Sequence, residues 1–386
     1  MYDYIVIGCG FAGATIAERL ASGSNKKVLI IDKRDTIGGN MYDYIDENGI
    51  LVHKYGPHLF HTNNEEVYNY LKQFAELYLY EHKVLGKVNN IIVPIPFNIN
   101  SIKKSFPKNK ADKLIMILEN EFGKDKKIPI LELKNHSDND IKELAEYIYE
   151  NVFLHYTLKQ WGQKPDEIDH NVTNRVPVYI SEDNRYFQDK FQFMPKHGYT
   201  KLIENMINHK NIDIKLNVNA NDILKINNDK IYFDNHEFSG KVIYTGPIDE
   251  LFNYEYGNLP YRSLYFELET INKEYYQDAG TVNYPTKEDK FTRITEFKHI
   301  NTSDKKIDKT TIMREYPCEY KKDYNIPYYP IVNDQNISLY NKYLDKSKKI
   351  KNLYLIGRLA QYKYFNMDLV INEALKLYKE LEGVND

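Results

Sequence analysis

An α/β protein, with a parallel-stranded unit at its N-terminus, a helical segment after it and antiparallel strands beyond, is the architecture this sequence predicts. Three patterns predict it. A glycine-rich turn links a strand pattern to a helix and a second strand within the first forty residues, helical periodicity dominates from about residue 98 to 160, and short alternating runs recur over 175–194 and 255–320.

Taken in order, Tyr4–Ile7 (YIVI) reads as a short buried strand, Gly8-Cys9-Gly10-Phe11-Ala12-Gly13 as a turn, Ala14–Leu20 as a helix and Lys27–Ile31 (KVLII) as a second strand. Together they make a complete βαβ unit with parallel strands. Gly38-Gly39-Asn40 then breaks the chain. Thr62-Asn63-Asn64-Glu65 has the form of a capping box before a stretch whose Val67, Leu71, Phe74 and Leu77 keep helical spacing. Two prolines within Asn90–Pro96 suit an edge strand or turn, because proline cannot donate to a sheet ladder. Ala111–Phe122 and Ile141–Phe153 are helical in period, with the lysine-rich Gly123–Lys127 a solvated loop between them. RSLYFELE, KFTRITEF and TTIMREYP alternate as antiparallel strands do. Gly198-Tyr199-Thr200 leads into a helix, strands are expected at 211–217 and 241–245, and LYLIG precedes a last helix, Val370–Leu381.

The 386 residues allow two or three domains and a cleft between them. With 52 basic against 55 acidic residues scattered along the chain, there is no footprint for nucleic acid, and no run of apolar residues is long enough for an integral membrane segment. Only Cys9 and Cys318 are present, and the chain starts on a strand pattern with no basic leader, so a cytoplasmic, reducing location is expected. Mean hydropathy is low at -0.62, but 35 Tyr and 17 Phe supply the area a core needs.

The spacing Gly8, Gly10, Gly13 is the G-x-G-x-x-G of dinucleotide sites. Its glycines allow the tight turn, backbone approach to a pyrophosphate and close helix packing, with phosphate at the N-terminus of the helix that follows, and Phe11 and Ala12 of the turn join the glycines at the cofactor. Asp32 closes the second strand, where a carboxylate accepts ribose hydroxyls. Asp32-Lys33-Arg34 followed by Gly38-Gly39-Asn40 resembles the extended FAD motif of the glutathione-reductase-like flavoproteins, which favours FAD over NAD.

After this motif the chain reads His53-Lys54-Tyr55-Gly56-Pro57-His58-Leu59-Phe60-His61-Thr62, and here it resembles the UDP-galactopyranose mutase family. Further ordered segments agree, among them Tyr156-Thr157-Leu158-Lys159-Gln160-Trp161, Arg175-Val176-Pro177-Val178, Tyr261-Arg262-Ser263-Leu264, Thr292-Arg293-Ile294, Pro327-Tyr328-Tyr329-Pro330, and Gly357-Arg358-Leu359 with Tyr362-Lys363-Tyr364. The resemblance implies a split FAD-binding Rossmann-like domain (1–78, 195–250 and 330–386), a helical domain with a mobile active-site loop (98–165), and an antiparallel β-sheet domain (79–97, 166–194 and 251–329). It also implies a homodimer, and a ring contraction of a nucleotide sugar in which N5 of the reduced flavin attacks the anomeric carbon, with an external reductant such as NAD(P)H.

Residue by residue, the resemblance places Arg175 and Arg293 on the diphosphate, since guanidinium groups bind phosphate bidentately. His61 and Tyr364 join them as catalytic positions. Tyr156, Trp161, Tyr186, Arg262, Tyr329, Asn366 and His82 are expected at the substrate. Lys33, Gly39, Asn40, His58, Arg358 and Asp368 join the glycine loop and Asp32 at the cofactor. His58 and His61 have the spacing of a zinc pair, but no further ligand cluster supports a metal. The chain departs from the family at Leu79–Val84, where an asparagine-rich segment is usual, at His155 for a usual glycine, and at Asn366 for a usual aspartate. These changes leave another nucleotide sugar, UDP-N-acetylgalactosamine or dTDP-fucose, as an alternative substrate. An amine-oxidase-type flavin oxidoreductase and a non-catalytic nucleotide-sugar binding protein are the other readings.

Overall fold

The computed structural model describes residues 2–162, 177–301 and 306–383. Its first layer is a five-stranded parallel sheet in the order Ile212–Lys215, Val28–Ile31, Tyr4–Ile7, Lys241–Tyr244, Leu353–Leu355. β1 (Tyr4–Ile7) lies parallel to β2 (Val28–Ile31) with Tyr4 opposite Val28. Both strands are buried along their length, as apolar strands covered on two faces must be. α1 (Phe11–Glu18) connects them and packs on the last helix, Met367–Glu382, and on Gly198–Ile207. Strand order reverses between β1 and Lys241–Tyr244, so the carboxyl ends of these two strands open a crevice where α/β sheets bind ligands.

The second sheet has seven strands, in the order Tyr329–Pro330, Tyr261–Ile271, Thr310–Glu319, Arg293–Glu296, Thr281–Asn283, Val84–Val88, Ile91–Ile95. All of its pairings are antiparallel except Thr281–Asn283 with Val84–Val88. Ile91–Ile95 is an edge strand, the place that suits Pro94 within it. Helices Ile99–Ser105, Lys108–Phe122, Ile130–Lys134 and Asn139–Ile148 share a core with these edge strands. The last of them runs on through a π-helical segment, Tyr149–Leu154, into His155–Trp161, which stops at Gly162 in the left-handed region.

Three readings of the sequence are corrected. The N-cap near residue 64 is Asn64, whose side chain accepts from the Glu66 and Val67 amides; Thr62 ends a strand. That helix stops at Leu71, and Leu77 belongs to a strand that enters the same core, so the apolar spacing outlives the helix. Phe191–Pro195 does not join the large sheet but pairs with Phe60–Thr62 and Leu77–Leu79. Helix Asp334–Ser347 and the meander Leu224–Glu237 add to the elements expected from the sequence. No helix among the described residues is long and apolar enough to cross a membrane.

Candidate active site

Two adjoining regions make up the site. The first is a cleft of about 240 Å³ at the crevice, lined by Gly8, Gly10, Phe11 and Ala12 of the glycine turn, by Asp32, Lys33, Gly39 and Asn40, and by His58 and Arg358. Gly8 turns the chain at φ +103°, and a Cβ there would lie 2.0 Å from Oγ1 of Thr245. Gly13 does not face the cleft. A Cβ on it would lie 1.9 Å from the Gly8 carbonyl oxygen, so this glycine lets the helix press on the turn. Gly10 differs from both, since a Cβ there meets nothing nearer than 3.9 Å and would point into the cleft.

Asp32 holds this turn in shape. Its carboxylate accepts from the Cys9 amide at 2.7 Å and the Arg34 amide at 2.9 Å, and the Gly38 amide donates to the Cys9 carbonyl at 2.9 Å. Lys33 reaches Glu250 at 3.0 Å, and Arg34, which the sequence reading did not single out, donates to Asn40 at 2.7 Å and lies over the Tyr55 ring. Nη1 of Arg34 and Nδ1 of His58 are buried with no partner among the described residues, and both residues line the cleft. Burial, with His53 and Arg358 adding, pushes the His58 imidazole down to about 3, so it is neutral. A loop open to a pyrophosphate, an acid placed for a ribose, and an unpaired guanidinium N–H and imidazole nitrogen along the wall fit a dinucleotide such as FAD.

Arg358 leads out of the cleft into the second region. Its guanidinium donates to the Phe365 carbonyl at 2.6 and 3.1 Å and stands over the rings of Tyr329 and Tyr364, 5.2 and 5.4 Å from their centroids. Those two rings stack at 5.3 Å, and Trp161 lies 6.0 and 6.1 Å from them. Tyr156, on the helix that carries Trp161, shares a small pocket with Trp161 and Tyr186.

Arg293 stands directly opposite Glu315 in the antiparallel pair, and its Nε and Nη2 donate to one Glu315 oxygen at 2.9 and 2.7 Å. The other oxygen of Glu315 is buried and has no partner among the described residues. Burial raises the phenols of Tyr156 and Tyr329, and the nearby charge of Arg293 only partly opposes it, so both are neutral hydroxyl donors. Glu315 was missed in the sequence. Its one signal is the inward position in the alternating TTIMREYP run.

His61 lies on the strand Phe60–Thr62, stacks on Phe187 at 3.6 Å and meets Asp189 at 3.0 Å. His82 is buried against Tyr80, Tyr186 and Phe187, and burial together with the Arg293 charge pushes it down to about 3. These histidines, Arg293 and the tyrosines therefore form one cluster. No group of three metal-ligating side chains exists among the described residues; His58 lines the cleft, whereas His61 is paired with Asp189.

Two of the expected site residues also hold other parts of the chain. Arg262 donates to the carbonyls of Gln160 at 2.9 Å and Lys159 at 3.1 Å, which fixes the end of the Trp161 helix. Asp368 accepts the Thr62 hydroxyl at 3.0 Å and does not line the cofactor cleft, whose wall there is Met367 and Val370. Asn366 caps the last helix by position only, with no side-chain bond to its amides. Arg175 lies outside the described residues.

Comparison with known proteins follows the same lines. The profile of the UDP-galactopyranose mutase family matches residues 151–364, and that of an NAD(P)-binding Rossmann-like domain matches 6–74. A UDP-galactopyranose mutase of Mycoplasma genitalium is 38% identical, with 98% of this chain and 95% of that protein covered. A dTDP-fucopyranose mutase of Escherichia coli is 36% identical, with 97% of each covered. The crystal structure of a reduced UDP-galactopyranose mutase superposes with a TM-score of 0.70 at 16% identity, covering 100% of this chain and 94% of that one, a likeness of fold.

Proposed function

The chain belongs to the UDP-galactopyranose mutase family, a family of isomerases, and from that premise we propose that it interconverts UDP-galactopyranose and UDP-galactofuranose with reduced FAD bound in the glycine cleft. The observation that carries this reading is the adjacency of the two regions. Arg358 stands in both, so a ring system reaching past His58 meets the cluster around Arg293.

Gly8, Gly10, Phe11 and Ala12 would take the pyrophosphate of the cofactor and Asp32 its ribose. A reduced flavin held there would supply a nucleophilic N5 for the anomeric carbon of the sugar. The other work falls to the protein. Arg293, with two N–H groups fixed on Glu315, turns its remaining edge to the diphosphate and stabilises the charge that grows as the glycosidic bond breaks. Arg175 is the second guanidinium in this reading. Tyr329 and Tyr364 donate their hydroxyls, Tyr156 and Trp161 pack the nucleotide, and His61, held by Asp189, orients the sugar. Neutral His58 adds no charge beside the ring system. The E. coli relative is named for dTDP-fucopyranose, and His82 brings an imidazole to the sugar side, so that sugar is the second substrate to try.

Chromatography of UDP-galactopyranose incubated with dithionite-reduced protein tests the proposal. Furanose product is expected. Conversion of dTDP-fucopyranose alone would move the substrate, and conversion of neither sugar nucleotide would overturn the reading.

A further inference from the structure

Lys159 lies half-buried on the helix that carries Tyr156 and Trp161. Its Nζ donates to four backbone carbonyls, those of Tyr284 at 2.6 Å, Thr286 at 2.9 Å, Asp289 at 3.0 Å and Phe291 at 2.9 Å. All four belong to the loop between strands Thr281–Asn283 and Arg293–Glu296, and the last of them, Phe291, lies two residues before Arg293. An ammonium has three N–H donors, so four carbonyls around it serve as a shell for a monovalent cation rather than as single hydrogen-bond partners. Thr286 braces the loop from inside by donating to Asp289 at 3.1 Å. On the opposite side Arg262 holds the carbonyls of Lys159 itself and of Gln160.

The helix needs such a clamp. Immediately before it the backbone passes through the π-helical turn Tyr149–Leu154, where i→i+5 bonding breaks the regular ladder, and immediately after it the helix stops at Gly162. None of the residues of His155–Trp161 is fully buried, so packing alone does not fix this segment.

We propose that Lys159 is a positioning residue that acts as a tethered monovalent cation, its ammonium filling the carbonyl shell of the 284–291 loop and so setting Tyr156 and Trp161 against Arg293. The shell is then a cation site that the chain fills with its own side chain. Once that side chain is cut back, ammonium or potassium ion should occupy it.

The idea rests on the nucleotide-sugar reading only for its consequence at the substrate, and the test separates the two. Trp161 is the chain's single tryptophan, so its emission reports the position of this helix without any ligand. In Lys159→Ala the emission should shift while bound flavin stays at the wild-type level, since no residue of the cofactor cleft touches Lys159. UDP affinity should fall about tenfold, the worth of one charged hydrogen-bond set. Ammonium or potassium chloride should restore both readings, and tetramethylammonium chloride at equal ionic strength should not. Lys159→Gln, which keeps the side-chain stem and two N–H donors, serves if the alanine variant does not fold, and should show a smaller emission shift. Unchanged emission in both variants, or a shift that ammonium and potassium reverse no better than tetramethylammonium, would overturn the proposal. A wild-type protein that ignores UDP would instead count against the nucleotide-sugar reading and leave the emission result to decide this one.

Discussion

Replacing Gly10 and Gly13 by alanine, one at a time, asks whether the glycine turn is shaped for a ligand or only for packing. A Cβ on Gly13 would stand 1.9 Å from the Gly8 carbonyl oxygen, 3.0 Å from its carbon and 3.2 Å from Cγ1 of Val6. Two of those atoms are backbone, so relief requires α1 to move off the sheet by more than 1 Å against a core of fully buried residues such as Ile16 and Val6. Overpacking of that kind costs about 1–3 kcal/mol or more. Gly10 has φ -85° and ψ -171°, a conformation alanine adopts, and its added methyl would meet nothing nearer than 3.9 Å. Its cost to the apoprotein should stay below about 1 kcal/mol, the loss of a favoured cap residue. Thermal melting of the apoproteins and flavin absorbance after reconstitution give the two readouts. Gly13→Ala should melt lower with or without flavin, whereas Gly10→Ala should melt as wild type does and bind flavin poorly, because its methyl occupies the path of the pyrophosphate. A Gly10→Ala protein that binds flavin with undiminished affinity would refute the argument.

Three further outcomes are expected. Arg293→Ala leaves Glu315, whose side chain is 1% exposed, as an unpaired buried carboxylate, which should cost about 3–5 kcal/mol in urea unfolding. Arg293→Lys should recover much of that stability, yet both variants should lose about 10²–10³-fold in turnover of the sugar nucleotide. Asp249→Asn tests a buried carboxyl that accepts from the Leu259 amide at 2.8 Å and that burial raises to about 6. Because its folded value lies above the unfolded one, the folded chain holds a proton there between about pH 4 and 6 that the unfolded chain has lost, and this residue makes stability fall as pH rises through that window. The melting temperature of Asp249→Asn relative to wild type should therefore climb from pH 4 to 7, by the equivalent of about 3 kcal/mol at most. A difference that is flat in pH would show the carboxyl to be unperturbed.

The parallel unit was legible because everything that makes it is local. Glycine spacing, two short apolar runs and the acid at Asp32 fall within thirty residues, and the same contacts hold the turn in the structure. The Arg293–Glu315 pair was only half legible. Register across two strands brings these residues together, and neither strand alone announces its partner. Arg262 and Asp368 show the opposite difficulty. Both have the residue type expected for ligand contact, but each gives part of its polar group to a long-range partner, a helix end for Arg262 and the Thr62 hydroxyl for Asp368. Apolar spacing misled at Phe74 and Leu77, since a strand that enters the same core can continue the pattern of a helix. Lys159 stands in a segment that carries the resemblance, but its partners were not legible, for all four are backbone carbonyls, which every residue carries.

The most direct test of the account divides one preparation of flavin-loaded protein into oxidised and dithionite-reduced halves and gives each UDP-galactopyranose. The account predicts furanose in the reduced half alone, with the flavin still reduced when equilibrium is reached and a flavin–sugar adduct trapped by borohydride. Furanose from the oxidised half, or reducing equivalents consumed in proportion to product, would contradict it.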